Sequence, residues 1–190
     1  MKKTFLFITG LCFVFSFPRY LTSFGTRQGN TEVKLKEIEP FAYVSLSHRG
    51  PFSDIEDVIT DLIATMQSLN VFPQGSMIGI FLTIPGPDDP EDMVLDWEIG
   101  FPVSEQTYIQ TREGTETKLK RNVWQHGLVA SAMYSGPYQE MGETITDIFQ
   151  WMEKNGYDKA GPVLVTFLEA GTPDSPSSKL KGEIWIPCKK

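Results

Sequence analysis

Cysteine and histidine are scarce in this chain, with two of each among 190 residues. Neither the pair Cys12 and Cys188 nor the pair His48 and His126 has the spacing of a zinc site, and without a paired His or Cys no haem ligand set is expected. Signatures of nucleophilic and phosphate chemistry are missing too. The chain carries no Ser-His-Asp pattern, no Gly-x-Ser-x-Gly elbow and no phosphate-cradling glycine loop. Basic residues are outnumbered, 17 against 24 acidic, for a net charge of −7. Such a surface repels phosphate backbones, so nucleic acid is not an expected partner. No apolar run reaches the roughly 20 residues that a membrane-spanning helix needs.

The longest apolar run, Thr4 to Phe17, follows Lys2 and Lys3 and ends at Pro18-Arg19. A basic start, a short apolar core and small residues at Ser23 and Gly25 read as an export signal cleaved after Gly25. The rival reading is an uncleaved N-terminal anchor, with membrane attachment through residues 4–17. Either way the expected location is extracytoplasmic. Removing residues 1–25 leaves 14 basic against 24 acidic residues and Cys188 as the single cysteine, so no internal disulfide can form.

Past the leader the chain repeats itself. Ser47-His48-Arg49-Gly50-Pro51-Phe52 is matched by Met133-Tyr134-Ser135-Gly136-Pro137-Tyr138. Glu98-Ile99-Gly100-Phe101-Pro102 is matched by Glu183-Ile184-Trp185-Ile186-Pro187. The offsets are 86 and 85 residues, so the halves stay in register. Residues 26–38 read as a linker, 39–103 as repeat one and 127–188 as repeat two. Each repeat predicts strand, helix, strand, strand. In repeat one a strand covers Phe41 to Ser47. A capping box at Ser53 and Glu56 then starts a helix on which Ile55, Val58, Ile59, Leu62, Ile63, Met66 and Leu69 recur at helical spacing. That helix stops near Asn70, and strands follow at Met77 to Thr83 and Met93 to Val103 around a Pro/Asp loop at 85–90. In repeat two strands at Leu128 to Tyr134, Val163 to Glu169 and Glu183 to Pro187 flank a helix from Met141 to Lys154, with a loop at 172–178. Its inward residues are Met141, Ile145, Ile148, Phe149 and Met152. A short strand is expected between the repeats, at Gln106 to Thr111. One repeat alone has too small a core to stand by itself, so the two must share one.

A strand, then Gly-Pro-aromatic, then an amphipathic helix occurs in both halves (HRGPF and YSGPY), and each half closes on Glu-Ile-x-x-Pro. This set resembles the GyrI-like small-molecule-binding domain over residues 39–188. That domain also serves as the effector-binding half of some multidrug-sensing regulators and is distantly similar to the SOUL fold. The resemblance implies an α+β fold: duplicated β-α-β-β units form an antiparallel sheet, with two helices on one face and a pocket on the pseudo-two-fold axis. In the family that pocket often takes lipophilic cations through a buried acidic residue and aromatic walls, and some members resemble hydrolases of strained electrophiles. The regulators carry a helix-turn-helix that this sequence does not show, so a transcriptional role is not expected.

Glu183, at the family's common acidic position, is the first site candidate. Side chains alternate along a strand, so Glu183 and Trp185 point one way and Ile184 and Ile186 the other. If Ile184 and Ile186 pack on the helices, Glu183 and Trp185 face the pocket, as a carboxylate beside an aromatic wall suited to a cation. The same alternation separates Asp96, Glu98 and Gly100 from Trp97, Ile99 and Phe101, making Glu98 the symmetry mate of Glu183. Tyr134 is a candidate to orient a ligand or a water. His48 precedes the first Gly-Pro as Tyr134 precedes the second. Phe81 and Phe167 are repeat mates that fit pocket floor or core equally. The leading expectation is a non-catalytic module binding a small lipophilic or cationic molecule, without cofactor or metal. The alternatives are a hydrolase using Glu183 with Tyr134, and an envelope interaction protein whose groove is filled by its own side chains.

Overall fold

The computed structural model describes residues 31–84, 90, 92–109, 117–136, 141–169 and 181–190. Residues 1–25, expected as a leader, Pro137-Tyr138 of the second Gly-Pro motif, and residues 85–89 and 172–178, expected as loops, lie outside the described residues. The strands are β1 (Lys34–Glu37), β2 (Phe41–Gly50), β3 (Ile78–Phe81), β4 (Leu95–Pro102), β5 (Lys120–Trp124), β6 (Leu128–Ser135), β7 (Asp158–Lys159), β8 (Val163–Glu169) and β9 (Lys181–Lys189). The helices are α1 (Ile55–Ser68) and α2 (Met141–Lys154).

Eight strands form one curled antiparallel sheet in the order β1-β6-β9-β8-β3-β4-β2-β5, and β7 pairs with the end of β9. Read from either edge, the order is the same in terms of repeat position. Strands β8 and β3 meet at the centre, where Ile78 pairs with Thr166, Gly79 with Val165, Ile80 with Leu164 and Phe81 with Val163. Both helices cover one face. Their buried residues are Ile55, Val58, Leu62 and Met66 from α1, and Met141, Ile145, Ile148 and Met152 from α2. They pack on the alternate residues Val44, Leu46, Phe81, Trp97 and Ile99 of repeat one, and on Ala130, Ala132, Phe167, Ile184 and Ile186 of repeat two. Phe81 and Phe167 are thus core on the helix side. Ile63 of the expected stripe is 42% exposed, and Ile59 and Leu69 are only partly covered.

The two helices end alike. Val71 N donates to Met66 O at 2.9 Å, and Tyr157 N donates to Met152 O at 2.9 Å. Each closure needs a left-handed residue just past the helix, supplied by Asn70 (φ 54°) and Gly156 (φ 73°), which are 86 residues apart. The start of α1 differs from expectation. The capping box at Ser53 and Glu56 is not formed. A 3-10 turn at Phe52–Asp54 precedes α1, Asp54 is the N-cap residue without a side-chain capping bond, and its carboxylate is 2.8 Å from His48 Nε2. The His48 ring lies 4.9 Å from that of Trp97. Gly50 permits this approach, since a Cβ there would fall 2.5 Å from His48 Nε2.

Two corrections concern the segments between repeats. Residues 34–37, expected as linker, form edge strand β1; of the strand expected at Gln106 to Thr111, residues 106–109 form none, with Gln106 in a turn, residues 110–111 lie outside the described residues, and a strand is found at Lys120–Trp124. Local pattern hides both. Lys34-Leu35-Lys36-Glu37 is exposed throughout and is a strand because it pairs with β6, about 90 residues away in sequence. Strand β5 pairs in the same way with β2. Each repeat's leading strand therefore completes the other repeat's edge. Replacing Ile148 with Ala, in the packed core, should cost about 2–5 kcal/mol, whereas Ile63→Ala on the exposed side of α1 should cost about 0.5 kcal/mol or less. Urea unfolding followed by circular dichroism measures both.

Candidate functional site

Alternation along the strands places the polar residues of interest on the sheet face opposite the helices. Two rows of paired residues cross the centre of that face. One runs Glu183, Thr166, Ile78, Gly100, and the other Trp185, Leu164, Ile80, Glu98. A two-fold turn about the β3–β8 ladder exchanges the rows. The floor is apolar: Ile78, Ile80 and Leu164 are buried and cluster with Tyr43 and Trp124, while Ile38, Phe41 and Trp185 pack at the edge.

The two glutamates sit in equivalent places with unlike neighbours. Glu98 accepts a hydrogen bond from Ser45 Oγ at 2.7 Å and a longer one from Ser47 Oγ at 3.3 Å. Lys120 Nζ reaches Ser47 Oγ at 3.4 Å, so its charge meets Glu98 through a hydroxyl. Glu183 pairs instead with Lys36 Nζ from β1, at 3.2 Å to Oε1 and 3.0 Å to Oε2. The same ammonium lies 5.0 Å from the centre of the Trp185 ring. The Glu183 side chain is 18% exposed and that of Lys36 45%. The carboxylates do not face each other at close range, because three strand spacings separate β9 from β4, roughly 14 Å along the sheet.

Two buried polar atoms border this region without a hydrogen-bond partner among the described residues, Thr166 Oγ1 and Trp185 Nε1. Thr166 is directly paired with Glu183. Burying a hydroxyl or an indole N–H unpaired costs on the order of 1–3 kcal/mol, which a ligand's or a water's hydrogen bond would offset.

Of the residues singled out in the sequence, Glu183, Trp185 and Glu98 share the open face. Tyr134 does not join them. It pairs with Gly182, one position from Glu183, so alternation turns its ring to the helix side, where it is buried in the core. His48 is likewise on the helix side, beside Trp97 and Asp54. Sequence reading missed Lys36, Ser45 and Tyr43. Only the 86-residue offset between Lys34-Leu35-Lys36 and Lys120-Arg121-Asn122 hints that Lys36 belongs to a strand. Among the described residues no three His, Cys, Asp or Glu side chains gather as metal ligands would. A separate cleft of about 360 Å³ lies at the end of α2, lined by Phe149, Met152, Tyr157 and neighbours, away from both glutamates.

The GyrI-like small molecule binding domain model matches residues 31–189. This chain belongs to the GyrI-like family. The match includes β1, in keeping with its place in the sheet. No curated protein matches the sequence. Among solved structures, the domain is similar to a hydrolase encoded by lin2189 from Listeria innocua, 14% identical with a TM-score of 0.62, covering 83% of this chain and 92% of that one. It is also similar to the C-terminal domain of EcmrR, 18% identical with a TM-score of 0.67, covering 85% and 99%. A third is SAV2435 bound to tetraphenylphosphonium, 13% identical with a TM-score of 0.50, covering 83% and 94%. At these identities the likeness is one of fold.

Tyr43 carries a measurable trace of this face. Burial, and then the Glu98 charge, push its phenol up to about 12, against a hydrogen bond with Asn122 that acts the other way. The raised value means that the folded state holds this proton after the unfolded chain has lost it. The resulting stability is fully present below pH 10 and is lost as pH rises from about 10 to about 12. Absorbance titration of the phenolates should show one late tyrosine that is missing in Tyr43→Phe, and alkaline unfolding of that variant should lose the corresponding part of its slope.

Proposed function

We propose that this domain binds a small lipophilic cation on the open face of its sheet, with Glu183 supplying the charge and Trp185 the ring. The observation that carries this reading is the pairing of a mostly covered carboxylate with an aromatic face over an apolar floor of Ile78, Ile80 and Leu164. A cation gains there from the carboxylate and from the ring quadrupole together, and loses little by leaving water if its own surface is apolar. That these two groups already hold an ammonium, from Lys36, supports the choice of charge. The tetraphenylphosphonium carried by SAV2435 is a ligand of this chemistry on a similar fold.

The hydrolase alternative is not favoured by the arrangement of side chains. An acid–base pair of Glu183 with Tyr134 would need both on one face, and they lie on opposite faces. Lys2, Lys3 and the apolar run to Phe17 support export, with the domain acting outside the cytoplasm. Mass spectrometry of the chain recovered from its native cell should find a first residue near Thr26. An intact N-terminus in the membrane fraction would favour the anchor instead.

Calorimetric titration with tetraphenylphosphonium tests the binding reading. Saturable binding is expected, weakened about tenfold or more in Glu183→Gln, which keeps shape and removes charge. Glu98→Gln, whose carboxylate is held by serines at the far end of the floor, should change affinity less. Equal affinity in wild type and Glu183→Gln would remove the carboxylate from the mechanism. No binding of lipophilic cations by the wild type would remove the ligand class.

A further inference from the structure

The two halves differ in what holds their glutamates. Repeat one holds its glutamate with two hydroxyls, from Ser45 and Ser47. In repeat two the positions 86 residues on are Ser131 and Met133, so the second hydroxyl is replaced by a thioether. Lys36, by contrast, corresponds to Asn122, which hydrogen-bonds Tyr43 rather than a carboxylate. One of two equivalent sites has therefore kept one serine position, lost the other and gained a direct cation. That cation is bidentate on Glu183 and lies over the Trp185 ring, where a bound cation would sit.

We infer that Lys36 is a tethered competitor that sets how strongly a cation must bind to enter this site, an inference that rests on the cation-binding reading above. The stem of Lys36 belongs to edge strand β1, and its side chain is nearly half exposed, so the ammonium can swing to water without disturbing the ladder. A strongly hydrated ammonium in a partly exposed pair is held only weakly. An incoming lipophilic cation replaces it, and the free carboxylate is seen by the ligand only for the fraction of time that Lys36 is away. Apparent affinity is reduced by that fraction. A weak pair of this kind corresponds to about a fivefold effect. Small hydrophilic amines, which offer Glu183 nothing more than Lys36 does, are weakened by the same factor with no apolar contact to offset it.

The test is titration of wild type, Lys36→Met, Lys34→Met, Glu183→Gln and the double variant Lys36→Met/Glu183→Gln with tetraphenylphosphonium. Methionine keeps an unbranched stem along the Trp185 ring. Lys34, on the same strand and paired with Glu32, controls for the loss of one positive charge. Lys36→Met should bind about fivefold tighter than wild type, with Lys34→Met within about twofold of it, and the gain should vanish when Glu183 is glutamine. If Lys36→Met is no tighter than Lys34→Met while wild-type binding still needs Glu183, the competitor is refuted and the cation site stands. Weaker binding by Lys36→Met would also refute it, making Lys36 part of the ligand's support. If neither wild type nor Lys36→Met binds the probe, both readings fall together.

Discussion

The four-rung ladder between β3 and β8 is the contact on which the rest of the molecule depends. Each repeat alone is a three-stranded piece of sheet with one helix, too small to keep its apolar surface from water. Pairing Ile78, Gly79, Ile80 and Phe81 with Thr166, Val165, Leu164 and Val163 turns two pieces into one sheet and two helix-covered patches into one core. Gly79 makes the close packing possible, since a Cβ there would meet the Phe167 ring at 3.2 Å. The same ladder forms the floor of the open face, with Ile78, Ile80 and Leu164 on its far side. Stability and the candidate site thus rest on the same few residues.

The exchange of leading strands adds a second coupling between halves. Strand β1 extends the edge beyond β6, and β5 extends it beyond β2, so neither repeat is complete without a segment that precedes the other. This arrangement is also what brings Lys36 to Glu183. Lys36 reaches a carboxylate 147 positions further on only because the edge of the second repeat is finished by the strand before the first. The equivalent strand β5 delivers Asn122 and Lys120, and the two glutamates consequently sit in different electrostatic surroundings despite equivalent backbone positions.

Electrostatics explains why one carboxylate and not the other is the better candidate. Glu98 has its oxygens engaged by two serine hydroxyls, and the Lys120 charge reaches it through Ser47. Such bonds to neutral donors satisfy a carboxylate locally and leave little reason for it to seek a cation. Glu183 is more dependent on a positive partner, because Met133 stands where Ser47 does in the other repeat, and unpaired burial of a charge is costly. Trp185 adds a ring at the position where repeat one has Gly100. The asymmetry of the two sites is thus written in three substitutions between equivalent positions.

Much of the fold was readable from the chain, for reasons that are local. Helix α2 was expected at its observed limits because its apolar period is regular, and β8 because its run of branched and aromatic residues is unbroken. The facing of Glu183 and Trp185 away from Ile184 and Ile186 follows from alternation alone, a property of any strand. What the chain could not reveal were features decided by distant partners. Polar Lys34–Glu37 becomes a strand only through β6. Asp54 abandons a helix cap for His48 across a glycine, and Tyr134 is turned inward because its register is set by Gly182. Sequence by itself determined the two helical periods and the alternation that sets Glu183 and Trp185 apart from Ile184 and Ile186, since these depend on periodicity. Tertiary structure alone decided which strands lie side by side, and so which cation meets Glu183, since that contact joins residues 147 positions apart.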